Sequence, residues 1–306
     1  MTSPTERRWQ PGWPCSLAAA LAPYRHGAGD PTYRVAPDGA HWRGIRTPVG
    51  TATLRLSADE GGGTVSGAAW GAGAEWALDT MPRLLGAEDD PSGFRPRHDV
   101  IERAWRRHGH LRIGASGLVM ESLVPAVIEQ KVTGQEAFGA YRGLVRRFGE
   151  PAPGPGADLG LLVQPSPTTL RSIASWDWIR LPVDRARSTA VLRAARVADG
   201  LERAGARGAT ELDRALCSVP GIGRWTSAEV RVRSQGDADA VSFGDYHVAR
   251  DVGWALTGAE VDDDGLEELL EEYRPHRHRV QRLVVAAGLG RPRRGPRMAP
   301  RVHLPK

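Results

Sequence analysis

Apolar and polar positions change period near residue 97. Between Asp30 and Trp70 the runs are short: "TATLRLSA" (51–58) alternates small or polar with apolar residues, "DEGGGT" is a turn, and "VSGAAW" (65–70) can return antiparallel. The pattern predicts paired strands. After them "GAGAEWALDTMPRLLG" puts Ala74, Leu78, Met81 and Leu85 at helical spacing, with Pro82 set against one continuous helix. Beyond Arg97 the period is helical almost throughout. In "QEAFGAYRGLVRRFG", Ala137, Phe138, Tyr141, Leu144, Val145 and Phe148 form one apolar stripe. Further helices are expected from Asp184, a plausible N-cap, through "RARSTAVLRAARVADGL", in "DDDGLEELLEEY", and in "HRVQRLVVAAG". The proline-rich stretch "GEPAPGPGADLGLLVQPSPTT" is expected to be a long surface connection inside one domain, leading to a helix that starts near Thr168 or Thr169. The expected class is α+β, mainly α: a small α+β domain over 1–97, a helical domain over 98–290, and a basic disordered tail over 291–306.

Within the helical part, "ATELDRALCSV" ends at Pro220, "PGIGR" is too short and glycine-rich for regular structure, and "WTSAEVRVRS" resumes a helix. This is a helix, a hairpin and a helix. Gly221 and Gly223 can take positive φ and bring backbone N–H groups, with the N-terminus of the second helix, close to a phosphate. A helix-joining turn without a ligand has the same spelling, so the neighbouring residues have to decide.

Composition narrows the choice. The chain has 306 residues, 41% hydrophobic and 25% charged, which is ordinary for a soluble protein. No apolar run reaches the ~18 residues of a membrane span, and "MTSPTERRWQPGWP" lacks the apolar core of a secretory signal, so a cytoplasmic protein is expected. Cys15 and Cys217 are too few for an iron–sulfur cluster or an all-cysteine zinc site; neither cofactor nor metal is expected. The formal charge is +5, yet the last sixteen residues carry six Lys or Arg and no acid, which leaves residues 1–290 at −1. A nucleic-acid face would therefore have to come from local arrangement. The tail reads equally as solvated or as DNA-contacting.

With these residues in view, the chain resembles the helix-hairpin-helix DNA glycosylases of base excision repair. "VPGIGRWTSAE" followed by the Gly-Asp-Tyr of "SFGDYHV" is similar to their hairpin and catalytic loop, with Asp245 about two dozen residues after Gly221. "LVPAVIEQKVTGQEA" and "YRPHRHRVQRLVVAAG" resemble segments of the branch that removes alkylated bases such as 3-methyladenine. The likeness covers 98–290 well and 1–97 loosely.

It implies a monofunctional glycosylase, monomeric and nucleoid-associated, acting on double-stranded DNA that contains a damaged base. Asp245 would be the catalytic carboxylate, Trp225 and Tyr246 would line the base pocket, and Gly221, Ile222, Gly223, Arg224, Thr226, Gln130 and Lys131 would meet the DNA. The chemistry agrees. Breaking an N-glycosidic bond builds positive charge on the sugar, which a carboxylate beside C1′ stabilises while it orients water. Trp225 offers a flat face for a flipped, cationic base. Plainer readings stand beside these: Asp245 as a helix N-cap, Trp225 as a core residue, Lys131 as a solvated or phosphate-contacting lysine. Some members of the superfamily carry a Schiff-base lysine directly after the hairpin. Here that position resembles Trp225, and the chain has just two lysines, Lys131 and Lys306, so water is the expected nucleophile. Val285 stands where a relative has a pocket aromatic, which leaves substrate range open. The rivals are a DNA-structure binder without catalysis and a glycosylase for oxidised or mismatched bases, for which many polar pocket partners are expected.

Overall fold

The computed structural model describes residues 3–59 and 63–292. The expected disorder of the tail falls on residues that lie outside this range, apart from Arg291 and Pro292. Five antiparallel strands, β1 (Thr5–Trp9), β2 (Tyr33–Val35), β3 (His41–Thr47), β4 (Gly50–Ala58) and β5 (Val65–Trp70), form a sheet in the order β1-β5-β4-β3-β2. The β3–β4 hairpin is fixed in register by Thr47 opposite Gly50. β1 was not evident in the sequence. Its "TERRW" is charged because it is an edge strand, paired on one side and open to water on the other.

One face of the sheet, with Ala52, Leu54, Leu56, Val65 and Ala69, packs on the helix Ala74–Asp79 and the short turn Met81–Leu84. The break falls at Thr80, which lets Pro82 sit in the first turn of the second piece, where its missing N–H costs nothing. The opposite face overturns one expectation. The proline-rich segment is no surface connection: Glu150–Pro151 and Leu162–Val163 pair as β6 and β7, and Ala152, Leu161 and Val163 are buried against Trp42. The Thr53 hydroxyl donates to the Pro153 carbonyl at 2.6 Å. An apolar sheet face needs a cover, and prolines serve because no N–H is left unpaired beneath it. The helix after this segment is Pro167–Ser172, capped by Ser166.

The helices around that segment share one apolar cluster. Val119–Ile128, Gly134–Phe148, Arg185–Arg196, Ala198–Ala206 and Ala209–Cys217 all contribute to it. Thr133 and Glu136 form a capping box on the second, and Asp184 caps the third by accepting from the Arg187 N–H at 2.9 Å. A separate cluster joins Asp99–His108 to Val248–Thr257, Asp263–Glu271 and Arg277–Ala286. The helix Arg224–Gln235 packs on Val119–Ile128 in the first cluster, and the loop that follows it enters the second.

Candidate active site at the hairpin and its following loop

The hairpin joins Ala209–Cys217 to Arg224–Gln235. Val219 and Ile222 are buried pegs that anchor the turn in the apolar cluster, and the Ile222 N–H closes it on the Val219 carbonyl at 3.0 Å. What remains exposed is Gly221, Gly223 and Arg224. The first N–H groups of the helix have no intrahelical acceptor, so the turn presents unpaired donors outward.

The two glycines differ, contrary to the expectation that both take positive φ. Gly221 has φ +98°, and a Cβ there would lie 2.9 Å from the Cβ of Ala190. Gly223 has φ −109° and open space where a Cβ would go. Gly221 is required by the fold, whereas the fold itself would accept a side chain at Gly223.

Two residues expected at the DNA turn inward. Ile222 is 5% exposed and Thr226 is 2% exposed, so their side chains hold the turn and only their backbone can face a strand. The Gln130 amide donates to the Gly221 carbonyl at 3.0 Å and to the Thr226 hydroxyl at 2.8 Å. Gln130 thus braces the hairpin from the turn after Val119–Ile128. Lys131, next to it, is exposed with φ +56°, a backbone strain that a non-glycine residue rarely carries. Arg224 is exposed, with its guanidinium over the Phe243 ring at 4.6 Å and 3.5 Å from Glu267.

Asp245 sits where the loop from Arg224–Gln235 reaches Val248–Thr257. Its Oδ1 accepts from the backbone N–H of His247 at 2.7 Å and Val248 at 3.1 Å, and its Oδ2 accepts from the Trp225 indole N–H at 3.2 Å. It therefore closes the turn that leads into Val248–Thr257 and also meets Trp225; the N-cap position of that helix belongs to His247, not to Asp245 as the plainer reading had it. The groups on its carboxylate are neutral N–H donors, and it is half-buried at the surface. Trp225, half-buried, is placed beside it by the first turn of the hairpin helix.

Tyr246 departs from its expected place. It is 68% exposed, with Arg250 4.4 Å and Arg291 5.9 Å from its ring centroid, so it stands on the outer surface and does not line a pocket. Its neighbour Asp245 turns in to close the turn before Val248–Thr257, and that geometry points the next side chain out. Val285 is likewise exposed, at 75%.

Behind Trp225 stands a polar row that the motif-by-motif reading missed. Glu229 follows one turn later on the same helix face. Its carboxylate accepts from the Ser242 hydroxyl and pairs with Arg233 at 2.6 Å. Burial pushes the Glu229 carboxyl up, and the Arg233 guanidinium and the Ser242 hydroxyl outweigh it, leaving the group below its ordinary range. Burial holds His278 neutral, its pKa pushed down to about 4. The i, i+4 spacing of Trp225, Glu229 and Arg233 is the signal that could have linked them.

A cavity of about 340 Å³ lies elsewhere, at the seam between the sheet and the helices, where Tyr24, Thr47, Glu121, Gln164 and Glu202 line it. Among the described residues no cluster of His, Cys, Asp or Glu could hold a metal ion, and no helix is long and apolar enough to cross a membrane.

No protein-family model matches the sequence, and no curated protein matches it. Solved structures do match in fold. A 3-methyladenine DNA glycosylase from Archaeoglobus fulgidus superposes with a TM-score of 0.76 at 17% identity, covering 92% of this chain and 98% of that one. The Clostridium acetobutylicum 8-oxoguanine glycosylase/lyase, bound to double-stranded DNA with cytosine opposite 8-oxoguanine, gives 0.70 at 11% identity, covering 94% and 97%. A Schizosaccharomyces pombe 3-methyladenine DNA glycosylase in complex with abasic DNA gives 0.51 at 19%, covering 61% and 90%. The fold is that of the helix-hairpin-helix DNA glycosylases, mainly helical with a small antiparallel sheet.

Proposed function

We propose that the protein is a monofunctional DNA N-glycosylase that releases alkylated, 3-methyladenine-like bases from double-stranded DNA by base flipping and carboxylate-assisted hydrolysis. The observation that carries this reading is the meeting of Asp245 with Trp225 at the foot of an outward-facing hairpin. Backbone donors at Gly221 and Gly223 bind a phosphate of the damaged strand. The flipped base, electron-poor and cationic, stacks on the Trp225 ring. As the glycosidic bond breaks, charge builds on the sugar and Asp245 stabilises it. Water then attacks C1′ with Asp245 as its acceptor. An alkylated purine leaves as a neutral base, so no strong general acid is needed. No cofactor takes part.

Water serves as nucleophile because Trp225 occupies the position directly after the hairpin, and Lys131 lies on a different turn, beside the brace Gln130. A glycosylase for oxidised or mismatched bases is the second reading, and the polar row of Glu229, Ser242 and Arg233 behind Trp225 favours it. Those groups satisfy one another, however, which leaves the alkylated-base reading ahead.

The test is a panel of duplexes, each with one modified base, assayed for abasic sites. Alkylated duplexes should yield abasic product that stays uncut until alkali is added. Borohydride trapping of a covalent adduct through Lys131 contradicts the water mechanism. Release confined to oxidised or mismatched bases moves the assignment to the second reading.

A further inference from the structure

We propose that Glu229 and Ser242 are a positioning pair that fixes the loop carrying Asp245 to the hairpin helix, so that the phosphate grip and the reacting carboxylate move as one body. The inference rests on the glycosylase reading of the site. Its basis is a closed ring of contacts. Trp225 donates its indole N–H to Asp245 Oδ2 at 3.2 Å. The Asp245 backbone N–H donates to the Ser242 carbonyl at 3.2 Å. The Ser242 hydroxyl donates to Glu229, and Glu229 returns to Trp225 through one turn of helix. The loop is thus tied twice to the same rigid face, at residues four apart.

The far end is held as well. Arg233 pairs with Glu229, donates through Nε to the Pro23 carbonyl at 3.2 Å, and accepts on its own carbonyl from the Tyr24 hydroxyl at 2.8 Å. The row 225, 229, 233 therefore runs from the catalytic loop to the segment that leads into the sheet. Ser242 is 1% exposed, so its hydroxyl has no water to turn to and its hydrogen bond is a fixed tie.

The placement argues against mere core filling. A buried carboxylate is costly, and an apolar residue of similar size would pack at least as well. What Glu229 adds is a directed bond to the loop three residues before Asp245. Gly244, between them, has φ +86° and its N–H bonds Asp263 at 2.7 Å. The loop is a tight turn whose aim depends on where its two ends are pinned. A misplacement of about 1 Å in a reacting group costs roughly a hundredfold in rate. The hairpin helix, which carries the backbone donors at its N-terminus, thereby sets the distance from a gripped phosphate to the carboxylate.

The experiment is single-turnover base release at saturating protein, with Ser242→Ala, Ser242→Thr, Glu229→Gln and the double variant Ser242→Ala/Glu229→Gln in the full chain. Ser242→Ala should slow release roughly tenfold to a hundredfold while affinity for undamaged duplex stays within about twofold. Ser242→Thr, which restores the hydroxyl, should recover most of the rate. The double variant should be no slower than the slower single one, because both break the same tie. Amide exchange over 240–247 should speed up roughly tenfold in Ser242→Ala, with Val119–Ile128 unchanged. This readout needs no activity and decides the role even if Glu229→Gln folds poorly. Wild-type rate and wild-type exchange in Ser242→Ala overturn the proposal, as does a loss of affinity that matches the loss of rate. If the native protein releases no base from any duplex, the glycosylase reading falls separately, while exchange still reports whether the pair holds the loop.

Discussion

The hairpin site and the seam cavity are both polar, and they use their polar groups in opposite ways. At the seam, most of the polar groups are tied to one another or to backbone, although Glu121 Oε2 and Arg46 Nε are buried without a hydrogen-bond partner. Glu202 accepts from the Val119 and Met120 N–H groups at 3.0 and 2.9 Å, capping a helix that lacks a cap of its own, and the Tyr141 hydroxyl donates to Gln164, whose amide donates to the Met120 carbonyl. At the hairpin, the turn's N–H groups point outward, and the Asp245 carboxylate, held by neutral N–H donors, lies half-buried at the surface. The proposed site rests on the hairpin's outward N–H groups and the Asp245–Trp225 pair, not on the seam cavity.

Substitutions sharpen that contrast. The largest effect is expected at Trp225. Trp225→Ala removes the donor on Asp245 and the stacking face together, and should slow single-turnover release by about a hundredfold, since stacking alone is worth about 1–3 kcal/mol per base. Tyr246→Ala, one residue from the carboxylate yet outside any pocket, should lose far less in the same assay. Equal losses would erase the distinction between the two aromatics.

The glycines come next. Gly221→Ala should lower stability by about 1–3 kcal/mol, read as a fall in Tm, because its φ of +98° and the Ala190 contact both resist a Cβ. Gly223→Ala should keep its Tm and weaken binding to every duplex about fivefold, the value of one lost hydrogen bond near 1 kcal/mol. The salt slope should stay unchanged, because the lost donors are uncharged. Tight binding by a well-folded Gly223→Ala protein would reduce the hairpin to a turn.

At the seam the expected effect is smallest and confined to stability. Burial raises the Glu202 carboxyl above its ordinary range, with the two backbone donors opposing it. A raised folded-state value means that the folded protein holds a proton which the unfolded chain has lost. The group's stabilisation is therefore complete below the ordinary carboxylate range and declines as pH rises through the raised value. Glu202→Gln cannot titrate. Its Tm relative to wild type should rise with pH across that interval, while base release stays at the wild-type rate. A change in rate would place the seam within the catalytic machinery.

How much of this was legible in the sequence depended on the range of the interaction. The Asp184 cap and the Gly-Ile-Gly turn are local, and they stand where the pattern put them, whereas the helix expected to run on from Asp184 breaks at Val197 into Arg185–Arg196 and Ala198–Ala206. The expected fold class holds, and Asp245 and Trp225 do come together. Side-chain direction was harder. Ile222 and Thr226 sit in a motif that faces outward, yet the turn needs pegs, and these two supply them. Gly221 and Gly223 look alike in one dimension, and only the packing of Ala190 separates their roles. The proline-rich segment looked like surface because its prolines exclude regular structure; that it covers a sheet face depends on strands a hundred residues earlier. The tie from Glu229 to Ser242 spans thirteen residues and two elements, beyond what any local period reports.

The central claim is that the Asp245 carboxylate breaks the glycosidic bond. Its most direct test compares wild type with Asp245→Asn in single-turnover release of an alkylated base, at saturating protein and with equal duplex occupancy confirmed by binding. The exchange removes charge and little shape, so affinity should be nearly unchanged. Release should fall by at least about a hundredfold, the scale of losing one electrostatic partner of a developing charge. A variant that binds equally and still releases the base at the wild-type rate would contradict the account.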